Sequence, residues 1–326
     1  MMARVPRSVK LMALGMAVIV LALLSLVIGK VWVPASGWFG DDPRWIIIPQ
    51  LRAPRAVLGL LLGASLGLSG AVLQGFLRNP LADPAVLGVS ATAALGAVAA
   101  ILVGATGGAV VFGAAMVGAA CAMALLAALS WRAEGVITFV LAGTVLASLS
   151  GALTVFLIAI APNPYVVASV MDWLMGALTD RSWDDVARAA PAMLAGGAML
   201  LFTAPALDAL ALGEDTARSL GVRPVRIRLL VIVGTGLVVG AGVAATGVVS
   251  FVGLVVPHLL RPLFGARPGA LLLPSALGGA ALVLAADSLV RLAPGAGEVR
   301  LGVAMAMLGA PFFLLLLWRG RGRAWG

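Results

Sequence analysis

The sequence predicts an all-α fold, a polytopic membrane protein with about ten transmembrane helices and both termini in the cytoplasm. The chain is 62% hydrophobic and only 11% charged, whereas about 25% of the residues in a soluble domain carry a charge. Its mean hydropathy of +1.12 comes from recurring apolar runs of about 20 residues, each long enough to cross the hydrocarbon of a bilayer. One transmembrane domain, residues 1–326, accounts for the whole pattern.

The apolar runs define the predicted helices in chain order. The first run follows Arg4, Arg7 and Lys10 and resembles a signal peptide, but no small-x-small cleavage site follows it, so we expect a retained first helix. The third and eighth runs are short or interrupted, which indicates partial crossings buried inside protein. The predicted spans are residues 11–31, 57–77, 85–103, 110–131, 137–161, 191–207, 229–249, 252–263, 271–289 and 301–318.

The distribution of charge predicts the orientation. If the N-terminus is cytoplasmic and the spans alternate, fourteen of the 22 basic residues fall on the cytoplasmic side. The positive-inside rule favours this orientation. The net charge of +9 is therefore assigned to topology and not to nucleic-acid binding. In the outer segment 162–190, Tyr165, Trp173 and Trp183 predict an interfacial helix.

The sequence lacks the residues that ATP hydrolysis, ion-coupled transport and metal binding would require. The only Gly-Lys pair, at Lys30, is followed by Val31, so the chain lacks a phosphate-binding loop and is not expected to be an ATPase. Arg78 and Asp83 are expected only at the ends of spans, which leaves no ionisable side chain at the mid-membrane depth where ion-coupled transporters need one. The single histidine, His258, cannot form a metal site alone. We expect neither a metal nor a cofactor.

Small residues recur at every fourth position of two predicted spans. This spacing makes a smooth ridge that another backbone can approach closely. Tight packing within the subunit is one interpretation, and lining of a translocation path is the other. The ridges consist of Gly59, Gly63, Gly67, Ala71 and Gly75 in the second span, and Gly236, Gly240 and Ala244 in the seventh.

Five short motifs occur in order along the chain. Each is weak alone, and the five together are specific. They are Ser69-Gly70-Ala71-Val72-Leu73-Gln74, then Arg78-Asn79-Pro80-Leu81-Ala82-Asp83-Pro84, then Leu87-Gly88-Val89-Ser90, then Phe251-Val252-Gly253-Leu254-Val255-Val256-Pro257-His258 with Arg261, and Leu308-Gly309-Ala310-Pro311-Phe312-Phe313.

These motifs resemble those of the FecCD family, the permeases of ATP-binding-cassette (ABC) importers for iron-siderophores, haem and vitamin B12. The resemblance runs from about residue 51 to residue 319. It implies about ten transmembrane helices in a multi-pass subunit of the inner membrane, surrounded by membrane lipid. It also implies three kinds of protein partner: a second copy of the chain, two ABC ATPase subunits, and a periplasmic substrate-binding protein. No nucleic acid is implied.

The resemblance implies that three arginines dock the binding protein. Segment 52–55 is similar to the family's Arg-Leu-Pro-Arg, whose arginines meet glutamates of the binding protein, so Arg52 and Arg55 are assigned this role. Arg291 is similar to a third docking arginine. The alternative is that these side chains are interfacial anchors that snorkel to the membrane surface. Arg300 stands where the family often has proline, which leaves the geometry of that outer turn open.

The resemblance also assigns a cytoplasmic gate. Asn79 and Leu81 match family residues that narrow the cytoplasmic end of the pathway, and Val136 corresponds loosely to a second gate region. Asn-Pro before a helix is also ordinary turn chemistry. Gate and turn therefore stay open as interpretations, and both can hold.

The inner polar segment 208–228 resembles the family's coupling segment, which docks on the ATPase. The alternative is an ordinary solvated loop. The residues assigned to coupling are Gly213, Glu214, Asp215, Thr216, Ala217, Arg218, Ser219, Leu220 and Gly221.

The function that the resemblance implies is a permease that moves an iron chelate, a siderophore or haem, from periplasm to cytoplasm. Cobalamin is the alternative cargo. Two other classes are an ion-coupled secondary transporter, against which the missing mid-membrane carboxylates argue, and a non-transporting scaffold, against which the coupling segment argues. A bare metal ion would lose its water without finding replacement ligands, so we expect an intact chelate or corrinoid to cross.

Overall fold

A computed structural model describes residues 6–34, 42–105, 107–132, 136–293 and 298–320. These residues form thirteen α-helices and no strand. A π-helical turn, Ile48–Arg52, leads into α2, and a 3₁₀ turn, Pro84–Leu87, precedes α3. The helices are α1 (Arg7–Val27), α2 (Ala53–Phe76), α3 (Val89–Leu102), α4 (Gly108–Arg132), α5 (Val136–Ala159), α6 (Pro164–Leu174), α7 (Trp183–Leu201), α8 (Ala204–Leu210), α9 (Glu214–Ser219), α10 (Pro224–Thr246), α11 (Val252–Phe264), α12 (Pro268–Leu292) and α13 (Leu301–Gly320).

The all-α membrane fold predicted from the sequence is confirmed. Six of the described helices are long and apolar enough to cross a membrane, and α7 with α8, which meet at a bend of 42°, pass the same test when taken together. The apolar helices α3, α11 and α13 are shorter, so the count of ten is approximate. The predicted shortness of the third and eighth spans is confirmed in α3 and α11, with 14 and 13 residues. The predicted helix of the outer segment is α6, whose first turn is capped by Asn163.

Helix α2 lies at the centre of the bundle, where 78% of its most apolar 18-residue stretch is buried. Its glycines permit backbone contact with α12, because a Cβ atom on Gly63 would lie 2.3 Å from the carbonyl oxygen of Gly279. The same atom on Gly67 would lie 2.1 Å from the carbonyl oxygen of Ser275. Such distances are far inside van der Waals contact, so only glycine fits. The ridge on α2 therefore serves packing within the subunit.

Contacts between distant segments agree with the alternation predicted from charge. On the predicted inner side, Arg267 forms an ion pair with Asp208 at 2.8 Å. On the predicted outer side, the indole Nε1 of Trp183 donates a hydrogen bond of 2.8 Å to the carbonyl oxygen of Pro49. Segments predicted to share one side of the membrane therefore meet at the same end of the bundle.

Helix α1 lies at the edge of the bundle, since only 11% of its most apolar 18-residue stretch is buried, and Val18 in its middle packs against α2 and α12. Hydrogen bonds fasten both of its ends. At the inner end, Arg7 donates to the carbonyl oxygen of Ala270 and Lys10 to that of Leu263, at 3.0 and 2.6 Å. At the outer end, the guanidinium groups of Arg52 and Arg291 donate to carbonyl oxygens in the last turn of α1 and just beyond it. These bonds satisfy helix-terminal carbonyls that have no partner within α1.

Candidate docking, gate and coupling sites

Arg55 in the first turn of α2 is only 8% exposed. Its guanidinium donates to both carboxylate oxygens of Asp287 on α12, at 2.9 to 3.1 Å. Its Nη1 also lies 2.8 Å from Oε2 of Glu298, which precedes α13. A buried arginine is stable only when its charge is paired and its N–H groups are bonded. These two carboxylates meet that need.

Arg291 and Arg52 are buried at the same outer end of the bundle. Arg291 is 3% exposed and lies 2.7 Å from Oδ2 of Asp287, one turn earlier on α12. It also donates to the carbonyl oxygen of Ser25 at 2.8 Å. Arg52, 6% exposed, donates to carbonyl oxygens at the C-terminal end of α1 and just beyond it. A cation is stabilised there, because the C-terminal end of a helix carries partial negative charge. We call Arg52, Arg55, Arg291, Asp287 and Glu298 the outer arginine cluster.

The outer arginine cluster is therefore satisfied inside the chain. The three arginines were expected to present charge to a binding protein or to snorkel, and the structure instead directs their guanidinium groups to intramolecular partners. Glu298 is the most accessible acid of the cluster, with 21% of its side chain exposed. Burial by itself would raise the pKa of the Glu298 carboxyl, but the Arg55 guanidinium and the Thr179 hydroxyl outweigh it, so that pKa lies below its usual range. The docking role of these arginines stays a prediction.

The predicted gate segment begins where α2 ends. Arg78 has a left-handed φ of 50°, and the N–H of Asn79 donates to the carbonyl oxygen of Gln74 at 3.1 Å. This is the Schellman ending of a helix, with arginine at the position that glycine usually takes. The side-chain oxygen of Asn79 then accepts the N–H of Leu81 at 2.9 Å, as turn-forming asparagines do. The turn interpretation of Asn-Pro is thus confirmed, and the gate role stays a prediction.

Asp83 corrects one expectation from the sequence. It was placed at the inner ends of the spans, yet it lines a small cavity together with Leu66 and Gly253. Leu66 lies ten residues before the end of α2, which is about 15 Å along a helix. The loop between α2 and α3 therefore re-enters the bundle and carries a carboxylate to that depth. There, Asp83 accepts backbone N–H groups of Ala85 and Leu254, the latter in the first turn of α11, where a helix favours an anion.

The structure describes the exposure of two predicted gate residues, Leu81 and Asn79, but not that of Val136. Leu81 is half-buried and Asn79 is exposed. Val136 begins α5, but its side chain lies outside the described part of the chain. Gly143 of α5 packs against the same re-entrant loop, since a Cβ atom on it would lie 2.3 Å from the carbonyl oxygen of Val86. The re-entrant loop is therefore held by α5 as well as by α11.

The predicted coupling segment projects from the inner end. Helix α9 is a single short turn framed by Gly213 and Gly221, whose φ values of 116° and 85° are accessible mainly to glycine. Ala217 on the inward face of α9 is fully buried. Glu214 and Arg218 pair at 2.8 Å on its exposed face. Two large apolar side chains, Leu212 and Leu220, are 69% and 64% exposed, which is costly in water and typical of a surface that a partner covers.

The coupling and gate segments are joined by one hydrogen bond. The Nη2 of Arg78 donates to the carbonyl oxygen of Leu210 at 2.6 Å, which is the last residue of α8. Gln74, one turn before Arg78, accepts a bond of 2.8 Å from Arg261 of α11. The segment that would meet a cytoplasmic partner is thus in direct contact with the re-entrant loop.

His258 has no ligand role that the geometry supports. Its ring packs edge-on against Phe312 with 6.0 Å between ring centroids. Its buried Nδ1 has no hydrogen-bond partner. Among the residues searched, which are those the structure describes, no three His, Cys, Asp or Glu side chains converge as a metal site would require.

Comparison with known proteins identifies the family. The family model described as the FecCD transport family matches residues 17–319. The chain belongs to the FecCD transport family. A cobalamin import system permease of Halobacterium salinarum is 42% identical over 83% of this chain and 73% of the relative. A vitamin B12 import system permease of Klebsiella pneumoniae is 36% identical over 96% of this chain and 94% of the relative.

A solved structure shares the fold of this FecCD protein. It shows an ABC transporter assigned to the metal-chelate type, in an inward-facing conformation, and it is 32% identical. The TM-score is 0.87, and the match covers 95% of this chain and 99% of that chain. The FecCD chain is therefore the multi-pass membrane permease of an ABC importer, whose ATPase activity lies on separate subunits.

Sequence reasoning on this FecCD chain missed the acids of the outer arginine cluster. Asp287 and Arg291 are four residues apart on one helix, a spacing that brings opposite charges together. The sequence therefore contained an indication of this contact. Asp287 and Arg55 are separated by 232 residues, and no local pattern predicts their contact. The depth of Asp83 had no signal either, because it depends on how the re-entrant loop packs against α11.

Proposed function

We propose that this permease moves a corrinoid of the cobalamin type from the periplasm to the cytoplasm. The observation that carries the proposal is the identity of 42% and 36% to permeases named for cobalamin and vitamin B12. The iron chelate expected first from the sequence becomes the second candidate. It is favoured by the metal-chelate type of the solved structure that is 32% identical.

The proposed assembly has two copies of this chain, two ATPase subunits and a periplasmic binding protein. The exposure of helix α5 supports a protein partner within the membrane, because only 11% of its most apolar 18-residue stretch is buried inside the subunit. Its side chains Leu141, Val145 and Leu149 are each more than half exposed. Lipid and a second copy can share this apolar surface.

In the proposed mechanism, the ATPase moves the segment around α9, and this movement reaches the re-entrant loop. The hydrogen bond from Arg78 to Leu210 supports this route. Asn79 and Leu81 would then narrow or widen the inner end of the pathway. The arginines of the outer arginine cluster would bind carboxylates of the binding protein once Glu298 releases Arg55.

Cargo selection can be measured in proteoliposomes that hold this chain, its ATPase and its binding protein. We expect ATP-dependent uptake of labelled cyanocobalamin, and no uptake of free Co²⁺ or Fe³⁺, because a bare ion would be stripped of water without replacement ligands. Uptake of ferric siderophore or haem, with cyanocobalamin excluded, would establish the second candidate. Uptake of the free ion with chelates excluded would overturn both.

A further inference from the structure

A cavity of about 500 Å³ opens at the outer end of the subunit. It lies between the α3–α4 turn, α6, the segment that leads into α7, and the outer end of α10. Its polar lining includes Asp172, Thr179, Asp180, Arg181, Asp185 and Arg300. Its apolar wall includes Trp173 of α6 and Val111 of α4. Small-molecule sites have this size and this mixture of apolar walls with a few polar groups.

Most of the charged groups in this outer cavity are already engaged. Arg300 forms an ion pair with Asp172. Asp185 caps the first turn of α7 through Ser182 and pairs with Arg188 at 3.0 Å. These groups therefore shape the cavity more than they offer free hydrogen-bonding capacity.

Asp180 and Arg181 are the exceptions. Among the described residues, neither forms a hydrogen bond or a close ion pair, and the Nε of Arg181 is buried with no partner, although Asp185 and Asp180 lie near enough to attract its guanidinium. Asp180 has a left-handed φ of 56°, a conformation that aspartate adopts more readily than most residues. A buried donor without a partner is costly. A ligand that bonds Arg181 would remove this cost.

The charges of the cavity select the chemistry of that ligand. An anion would face three aspartates, and a cation would face Arg181 and Arg300. A neutral group that carries both a donor and an acceptor suits both unengaged side chains, since its N–H can bond Asp180 and its carbonyl oxygen can bond Arg181. A primary carboxamide is such a group.

We propose that the outer cavity is a subsite for a peripheral carboxamide of the transported corrinoid, bound between Asp180 and Arg181. The inference rests on the proposed cargo, because a corrin ring bears several amide side chains around a partly apolar macrocycle. The cavity holds part of such a molecule and not the whole. Contact through one or two amides keeps binding weak, so the cargo can leave the subsite and continue inward.

The test compares two cargoes in the reconstituted transporter with its ATPase and binding protein. One is cyanocobalamin, and the other is its monoacid derivatives, in which one amide has become a carboxylate. The informative variants are Asp180→Asn and Arg181→Gln, and the control is Arg44→Gln, an exposed outer arginine paired with Asp42 away from the cavity. Asparagine tolerates a left-handed φ as aspartate does, so Asp180→Asn should fold.

The readout is the ratio of initial ATP-dependent uptake rates for the amide and acid cargoes. We expect wild type to prefer the amide, and Asp180→Asn to reduce that preference roughly tenfold, as removal of one repulsive charge at a hydrogen-bonding site would. Arg181→Gln should slow amide uptake by a similar factor, and Arg44→Gln should change neither. A purely structural role would not alter the ratio between cargoes.

Two negative results are distinguishable. If wild type carries cyanocobalamin but all variants keep its amide-to-acid ratio, the subsite is wrong and the proposed cargo stands. If wild type carries no corrinoid, the proposed cargo fails and the subsite for its amide fails with it.

Discussion

The guanidinium of Arg55 and the carboxylate of Asp287 form a two-pronged ion pair across the contact between α2 and α12, at 2.9 to 3.1 Å. Asp287 is 1% exposed and also pairs with Arg291. One carboxylate thus neutralises part of the charge of two buried arginines. Removal of that carboxylate leaves both guanidinium groups in a medium of low dielectric constant.

We predict that Asp287→Asn destabilises the protein by about 3–5 kcal/mol, the usual cost of breaking a buried ion pair from one side. The measurement is the thermal unfolding temperature of the purified protein in detergent. Asp42→Asn is the matched control, because Asp42 pairs with the half-exposed Arg44 and exposed pairs contribute little to stability. Equal shifts for both variants would contradict the structural importance of the outer arginine cluster.

The contact of α2 with α12 predicts a contrast between two glycines on the same helix. Gly67→Ala should destabilise by about 1–3 kcal/mol, because the new Cβ atom would meet backbone that cannot move aside. Gly59→Ala should be less damaging, since its Cβ atom would lie 3.0 Å from the terminal Cδ1 of Leu178, a side-chain atom that can shift further than backbone can. The measurement is the unfolding temperature of the two variants and the wild type in the same detergent. If Gly59→Ala were the more damaging variant, the packing assigned to the ridge would be wrong.

The pKa of Glu298 predicts how its contribution depends on pH. Because the folded-state pKa lies below the ordinary glutamate value of 4.5, the stabilisation is complete above that value and is lost as the pH falls through the lower folded-state pKa. Glu298→Gln lacks this contribution. The difference in unfolding temperature between wild type and Glu298→Gln should be constant from neutral to mildly acidic pH and shrink below it. A difference that grows on acidification would reverse the sign of this linkage.

The position of Glu298 on Arg55 also predicts an effect on docking. If Glu298 occupies the guanidinium that a binding-protein carboxylate would meet, Glu298→Gln should speed association at low salt, by roughly threefold to tenfold, and the gain should vanish at high salt. Binding kinetics with the purified binding protein measure this. Asp184→Asn is the control, an exposed outer acid that does not touch Arg55. Equal acceleration by both variants would mean that only net charge matters.

The glycines that frame α9 predict a loss of coupling without loss of the protein. Gly221→Val should strain the backbone at a φ of 85°, although no atom lies within 4 Å of an added Cβ atom, and ATP-driven transport should fall while membrane levels stay normal. Gly15→Val on α1 is the control, because Gly15 also has open space around it but has no positive φ. Normal transport by Gly221→Val would argue against the coupling role.

Direct contact of α9 with the ATPase can be tested by cross-linking. Thr216→Cys and Ser219→Cys place thiols on exposed positions of α9, in a Cys121→Ser background, since Cys121 is itself exposed. We expect both thiols to cross-link to cysteines in the ATPase. Absence of cross-links in an intact complex would remove the docking surface from α9.

The sequence predicted the features that depend on neighbouring residues. Apolar runs located the helices, including the short α3 and α11, and the four-residue spacing from Gly59 to Gly75 anticipated a close helix contact. Positive charge sorted the loops into two groups that do meet in space. In each case, the signal is a periodicity or a composition that a single helix or loop expresses by itself.

The features that the sequence did not predict depend on long-range packing. The turn at Asn79 was recognisable, but the depth of Asp83 follows from the contact of its loop with Leu66 and Gly253. The outer cavity likewise needs α6 and α10 to be in place before Asp180 and Arg181 become neighbours of Trp173. No local pattern carries such information, because segments far apart in the chain supply the walls.

The end contacts of α1 bear on how the chain is made. A nascent chain enters the membrane from its N-terminus, so α1 is inserted first and meets Arg52 early, whereas its other anchors, Leu263, Ala270 and Arg291, are synthesised late. During most of translation, α1 therefore has a partner at its outer end and none at its inner end. Complete attachment of α1 is a late step of biogenesis, and a chain interrupted before α11 would hold its first helix at the outer end alone.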